Sequence, residues 1–155
     1  MTDAAAAGAP IRVLVVCTGN SARSIMAEAL LRQHGGDAFE VHSAGTVPKG
    51  VNPLTLRTLA EAGIDGSFAR SKSVDEYLGQ SFDYVITVCD QARDVCPVFP
   101  GVRESLHWGY GDPAAAEGTD EERLVVFRRV FTQMAERIRQ FVLLARRERE
   151  GAIRT

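Results

Sequence analysis

The sequence lacks several features that mark special classes of protein. It has no long hydrophobic run, because stretches such as Val13 to Cys17 are far too short to cross a bilayer. It has no excess of one charge, since 18 Lys and Arg face 20 Asp and Glu, so net charge gives no reason to expect nucleic-acid or acidic-membrane binding. Its first residues lack the basic flank and apolar core of a signal peptide. With only three cysteines, at least one stays unpaired, which favours a reducing cytoplasm and thiols kept for chemistry.

What is present is typical of one globular domain. The 155 residues are 45% hydrophobic and 25% charged, and residues 1–10 are predicted to form a flexible leader before a single domain at 11–150. Apolar runs and helical spacings alternate along that domain, which predicts βαβ units and a parallel sheet. The predicted strands are Ile11–Val16, Phe39–Ser43, Phe82–Val88 and Glu104–His107; the predicted helices are Ser24–Gln33, Pro53–Ala62, a short turn at Val74–Leu78 and a long helix from Thr119, where Glu122 completes a capping box. The breaker-rich segment from Cys89 to Gly101 is predicted to be a loop.

The loop after the first strand carries the strongest functional pattern. Ligands of parallel α/β sheets bind at the carboxyl ends of the strands, and there the sequence places a cysteine, a tight turn and an arginine at the start of a helix. Backbone N–H groups and the helix dipole in such a loop favour an oxyanion, which Arg23 can hold with two donors. The same field favours the thiolate of Cys17, to which Ser24 can donate a hydrogen bond. Gly19 and Asn20 are expected to adopt left-handed conformations. The predicted oxyanion-binding residues are Thr18, Gly19, Asn20, Ser21, Ala22, Arg23 and Ser24.

The other two cysteines follow the third strand. Cys89 ends that strand and Cys96 lies before Pro97, a spacing that does not match the usual zinc sites, so no metal is expected. A redox pair suits a segment that can rearrange, and the sheet places Cys89 near Cys17. Two buried, inert thiols are the alternative. The residues alone therefore indicate a thiol enzyme that handles an oxyanion and has redox chemistry.

The segment Val16 to Leu30, with its Cys-Thr-Gly-Asn-Ser-Ala-Arg-Ser loop, resembles the signature of low-molecular-weight protein tyrosine phosphatases and of the arsenate reductases that share their fold. Ser43 to Thr46, Asn52-Pro53 and Asp112-Pro113 extend the resemblance over nearly the whole chain from Ile11. It implies a flavodoxin-like three-layer sandwich with a four-stranded parallel sheet flanked by helices.

The triple-cysteine pattern resembles that of thioredoxin-coupled arsenate reductases. This resemblance implies that Cys17 attacks arsenate, Cys89 attacks Cys17 and releases arsenite, Cys96 attacks Cys89, and thioredoxin resets the enzyme without any cofactor. Asp112 is then a general acid, although Asp-Pro is also a common turn. Mycothiol or glutaredoxin coupling stays open, and the chain is expected to be a monomer.

Two positions depart from the family pattern. Ala114 to Ala116 stand where phosphatases of the family carry aromatic residues, which weakens a tyrosine phosphatase reading without excluding residual phosphatase activity. Lys72 stands where some reductases hold a monovalent cation through an acidic residue, and its ammonium can replace that ion and pair with Glu28; a plain surface lysine is the alternative. A phosphatase using Cys17, Arg23 and Asp112 is the second interpretation, and a non-enzymatic sensor of arsenite or redox state is the third.

Overall fold

The computed structural model describes residues 8–154, and the side chains of residues 8–151. Residues 1–7 of the predicted leader therefore lie outside the described residues. Four parallel strands form one sheet in the order β2-β1-β3-β4. They are β1 (Ile11–Cys17), β2 (Phe39–Gly45), β3 (Tyr84–Thr87) and β4 (Glu104–His107). The predicted fold, a four-stranded parallel sheet flanked by helices, is confirmed.

Within residues 9–154, the α-helices that connect and cover the strands are α1 (Arg23–Gly35), α2 (Pro53–Glu61), α3 (Asp90–Val95) and α4 (Asp120–Arg154). Local sequence explains their ends. Asn52 caps α2 by accepting a hydrogen bond from the Leu54 N–H, and Pro53 stands at its first turn. At the start of α4, the Thr119 N–H donates to Glu122 and the Glu122 N–H donates to the Thr119 hydroxyl, so the predicted capping box is confirmed.

The core lies between the sheet and the two longest helices. Helix α1 buries Ile25, Met26, Ala29 and Leu30, and α4 buries Leu124, Phe127, Met134, Ile138 and Phe141. Such burial provides the main stabilisation of a domain of this size. Among the described residues, no helix is both long and apolar enough to span a bilayer.

One element differs from the prediction. The segment from Cys89 to Gly101, predicted to be a loop, begins with helix α3 at Asp90–Val95. Its residues, Asp-Gln-Ala-Arg-Asp-Val, contain no Gly or Pro, and an Asp at the first helical position complements the helix dipole. The breakers that suggested a loop, from Pro97 onward, end this helix rather than prevent it.

The strand register brings the functional segments to one edge of the sheet. Cys17, the last residue of β1, pairs with Gly45, the last residue of β2. Thr87, the last residue of β3, pairs with Val16 on one side and with His107 on the other. Because all four strands are parallel, the segments that follow them meet at this carboxyl edge.

Candidate active site

A pocket of about 330 Å³ opens at the carboxyl edge of the sheet. Its wall includes Cys17 together with five of the predicted oxyanion-binding residues, namely Thr18, Gly19, Ser21, Ala22 and Arg23. The loop between β1 and α1 thus wraps around one concave site, as the sequence pattern predicts. Its volume suits a small ligand.

The other two predicted loop residues, Asn20 and Ser24, are fully buried and lie behind the pocket. Both direct a donor to the Cys17 sulfur: the Asn20 backbone N–H lies 3.1 Å from Sγ, and the Ser24 Oγ lies 2.9 Å from it. The Ser24 Oγ itself accepts a hydrogen bond from the Asn20 Nδ2 at 2.8 Å, so its single proton is available to the sulfur. These donors suit a sulfur that carries negative charge, as a nucleophilic thiolate does.

Asn20 is held in turn by a buried polar chain. Its Nδ2 also donates to the Ser43 Oγ at 3.0 Å, and the Ser43 hydroxyl donates to the Glu28 Oε1 at 2.6 Å. Its Oδ1 accepts from the Lys72 backbone N–H at 2.9 Å. The two protons of the Asn20 Nδ2 have one acceptor each and its Oδ1 accepts from a backbone N–H, so its neighbours determine the orientation of the Asn20 amide.

Lys72 is buried, with 7% of its surface exposed, and its ammonium lies inside this polar chain. The Nζ donates to the Arg70 carbonyl at 2.9 Å and lies 3.9 Å from the Glu28 carboxylate. Burial lowers the pKa of Lys72 below its usual value, and the Glu28 carboxylate offsets part of that effect. The predicted pairing with Glu28 is therefore found, and a surface position for Lys72 is wrong. A metal cation among these oxygen atoms would face the lysine's own positive charge.

The left-handed backbone conformation predicted for Gly19 and Asn20 is found at only one of these two positions. Asn20 has a φ of 44°, so its predicted left-handed conformation is confirmed. Gly19 has no positive φ, and that prediction is wrong. A Cβ atom at position 19 would lie 2.6 Å from the Cε of Lys49, and the flexible lysine side chain can relieve this contact by moving.

Cys89 and Cys96 lie at opposite ends of α3. Cys89 is buried, lines the same pocket as Cys17, and its Sγ lies 3.3 Å from the Thr18 Oγ1. Cys96 lines a neighbouring cavity of about 340 Å³ with apolar residues that include Val85 and Phe99. Burial raises the pKa of the Cys96 thiol. All three cysteines are free thiols.

Asp112 lines the same pocket as the loop from Cys17 to Arg23. Its Oδ1 accepts a hydrogen bond from the Ala114 N–H at 3.0 Å, which is the turn role that its sequence also suggested. Its Oδ2 lies 3.8 Å from the Arg23 guanidinium, and Arg23 also donates to the Tyr110 carbonyl at 3.0 Å. The carboxyl group therefore serves a turn and still faces the anion site.

Three further residues line the pocket that sequence reasoning did not identify: Lys49, Asp90 and Gln91. Lys49 lies in the segment after β2, and its backbone N–H donates a hydrogen bond to the Gly19 carbonyl. Asp90 and Gln91 enter because the segment after Cys89 is helical. For Lys49 no local pattern signals this place, since only the pairing of two loops brings it there. Within residues 8–154, no cluster of His, Cys, Asp and Glu has the arrangement of a metal site.

Comparison with known proteins places this pocket in a family. The sequence profile described as "Low molecular weight phosphotyrosine protein phosphatase" matches residues 12–151. The chain belongs to this family.

Within the family, named relatives are arsenate reductases. One from Halalkalibacterium halodurans is 47% identical over 129 residues, which cover 83% of this chain and 93% of that protein. A solved structure described as an arsenate reductase in the phosphate binding state has a TM-score of 0.74 at 29% identity, and covers 86% of this chain and 97% of its own. The thioredoxin-dependent arsenate reductase of Corynebacterium glutamicum has a TM-score of 0.65 at 31% identity, and covers 93% of this chain and 70% of its own.

Proposed function

We propose that this chain reduces arsenate to arsenite. The observation that carries the proposal is the presence of two thiols, Cys17 and Cys89, in one anion pocket, with a third thiol at the far end of α3. A hydrolytic phosphatase needs only the first of them. Similarity to arsenate reductases at up to 47% identity supports the substrate.

In the first step, the Cys17 thiolate attacks arsenate bound by the loop and Arg23. A new S–As bond forms and one As–O bond breaks, as a hydroxyl group of arsenate receives a proton from Asp112 and leaves as water. The Asn20 N–H and the Ser24 hydroxyl keep the sulfur directed into the pocket before attack. Arsenic remains in the +5 state.

In the second step, Cys89 attacks the Cys17 sulfur. The S–As bond breaks and its electron pair stays on arsenic, which leaves as arsenite in the +3 state, while a Cys17–Cys89 disulfide forms. Cys96 then attacks Cys89, so that the disulfide moves to Cys89–Cys96 and Cys17 is freed as a thiolate. A dithiol reductant, for which we propose thioredoxin, supplies the two electrons that reduce this disulfide.

The decisive experiment is arsenate-dependent NADPH oxidation in the presence of thioredoxin and thioredoxin reductase. We expect turnover with the parent protein and none with Cys89→Ser or Cys96→Ser. If the parent protein turns over with mycoredoxin but not with thioredoxin, arsenate reduction stands and mycoredoxin replaces thioredoxin as the reductant. If no reductant supports turnover, the proposed function is wrong.

A second candidate is hydrolysis of phosphate esters through a phospho-Cys17 intermediate. Family membership favours it, since phosphate and arsenate have similar shape and charge. Ala114, which lines the pocket, offers no aromatic surface for a phosphotyrosine ring to stack on. Equal hydrolysis of an aryl phosphate by the parent, Cys89→Ser and Cys96→Ser, with no arsenate reduction by any of them, would establish this alternative.

A further inference from the structure

Helix α3 begins and ends at the two cysteines of the relay. Cys89 is its N-cap residue and Cys96 its C-cap residue. A helical segment rises about 1.5 Å per residue, so the two cysteines lie about 10 Å apart along its axis. A disulfide requires Cα atoms within about 7 Å. The Cys89–Cys96 disulfide and an intact α3 therefore cannot coexist, and what holds α3 together controls the last exchange of the relay.

Few contacts hold this helix. It is six residues long, too short to be stable in water by itself, and Ala92 is its only buried residue. Its side chains make two hydrogen bonds to other elements within residues 8–154. One is weak, from the Thr18 hydroxyl to the Gln91 Oε1 at 3.4 Å, and the other joins Asp90 to His107 at 2.8 Å.

The Asp90–His107 bond connects the first turn of α3 to the end of β4. Because a carboxylate only accepts, the Nε2 of His107 carries the proton and donates to the Asp90 Oδ1. In the neutral ring, Nδ1 is then an acceptor, and the Thr87 hydroxyl at 2.7 Å donates to it. Thr87 and His107 are partners in the β3–β4 register, so the imidazole is fixed by the sheet.

We propose that His107 is a positioning residue that holds α3 in its helical form through Asp90, and so sets how readily Cys96 reaches Cys89. The inference rests on the proposed function, because it gives α3 a task in the relay. His107 touches neither arsenate nor a reacting sulfur in this scheme. It acts on the equilibrium between the closed, dithiol form of α3 and the open form that the disulfide requires.

The test uses Cys17→Ser protein, in which Cys89 and Cys96 are the only thiols. The protein is equilibrated with dithiothreitol and its cyclic disulfide, and mass spectrometry after alkylation gives the exchange constant. In this exchange the protein dithiol loses two electrons and two protons to the cyclic disulfide, which becomes dithiothreitol. We expect Asp90→Ala, which removes the acceptor oxygen, and His107→Ala each to raise the constant for Cys89–Cys96 disulfide formation by about two- to tenfold. The double variant should show no more than the larger single effect, because both changes remove the same bond.

Asp94→Ala is the matched control, since it removes a carboxylate from the same helix that contacts only its neighbour Arg93. Asp90 also stabilises the first turn through its charge, and the double variant separates that effect from the loss of the bond to His107. Equal effects of Asp90→Ala and Asp94→Ala, or effects that multiply in the double variant, would overturn the proposal. The Asp90 side chain is 78% exposed, so its substitution does not threaten the fold and carries the test if His107→Ala does not fold. Arsenate takes no part in this experiment, so its outcome is read separately from that of the proposed function.

Discussion

The Arg23 guanidinium lies 3.8 Å from the Asp112 carboxylate across the mouth of the anion pocket. A carboxylate at this place repels an incoming oxyanion, whereas the guanidinium attracts both groups. Arg23 is also anchored to the acid loop by its bond to the Tyr110 carbonyl. In the proposed mechanism, Arg23 therefore both binds the anion and positions the acid, so that substrate and proton donor meet on one cation.

Asp112→Asn separates the two roles of this residue. The amide oxygen can still accept the hydrogen bond from Ala114, so the turn is kept, while the transferable proton is lost. We expect the rate of Cys17 attack on arsenate to fall by about 10²- to 10⁴-fold. Stopped-flow measurement of single-turnover arsenite formation, together with an unchanged Tm, checks this. A loss below threefold means that the turn role is the only one.

Gly45→Ala tests the contact between the ends of β1 and β2. A Cβ atom at position 45 would lie 2.6 Å from the Thr18 carbonyl oxygen and 2.9 Å from the Asn20 nitrogen, both backbone atoms that have no room to move. We expect a loss of about 1–3 kcal/mol in the free energy of unfolding, as for other overpacked sites, and weaker phosphate binding. Calorimetry gives both values. Gly8→Ala, which meets nothing within 4 Å, is the control, and equal behaviour of the two variants contradicts the prediction.

The buried ammonium of Lys72 predicts independence from potassium. Exchange of sodium for potassium at constant ionic strength should leave kcat/KM unchanged, because Lys72 already supplies a positive charge beside Glu28 and Asn20. Lys72→Met should lose about 1–3 kcal/mol of stability; the loss is limited because Glu28 keeps its bond to Arg32. Steady-state kinetics and urea unfolding measure these effects. A several-fold increase in the kcat/KM of the parent protein on addition of potassium would contradict this role for Lys72.

The raised pKa of Cys96 predicts how the last exchange depends on pH. Burial moves this pKa above the reference value of 9.0, so the reactive thiolate is scarce at neutral pH. Its fraction grows about tenfold per pH unit below the pKa. We expect the rate of Cys89–Cys96 disulfide formation to follow this slope between about pH 6 and 8. Acid quenching and mass spectrometry of a single turnover check it, with Cys96→Ser as the control that stops at Cys17–Cys89. A flat profile contradicts the prediction.

Local pattern was enough for the strands, the long helices and the loop from Cys17 to Ser24. These segments combine strong apolar periodicity with Gly, Pro and capping residues at their ends. Helix α3 was missed because it buries only Ala92 and therefore has no amphipathic pattern to detect. Lys49 and the Asp90–His107 bond were missed for another reason. They depend on which loops and strand ends meet at the sheet edge, and no short stretch of sequence contains that information.

Because Cys89 and Cys96 lie at opposite ends of α3, a disulfide between them requires a different backbone conformation in this segment. In the proposed relay, oxidation opens the six-residue helix at Asp90–Val95, so a change in redox state becomes a change in backbone conformation. A reductant that binds an extended backbone segment would therefore bind this enzyme only after turnover, in its oxidised form. The reductant can then distinguish oxidised from reduced enzyme without a second recognition site, because the segment that carries the disulfide is also the surface that changes conformation.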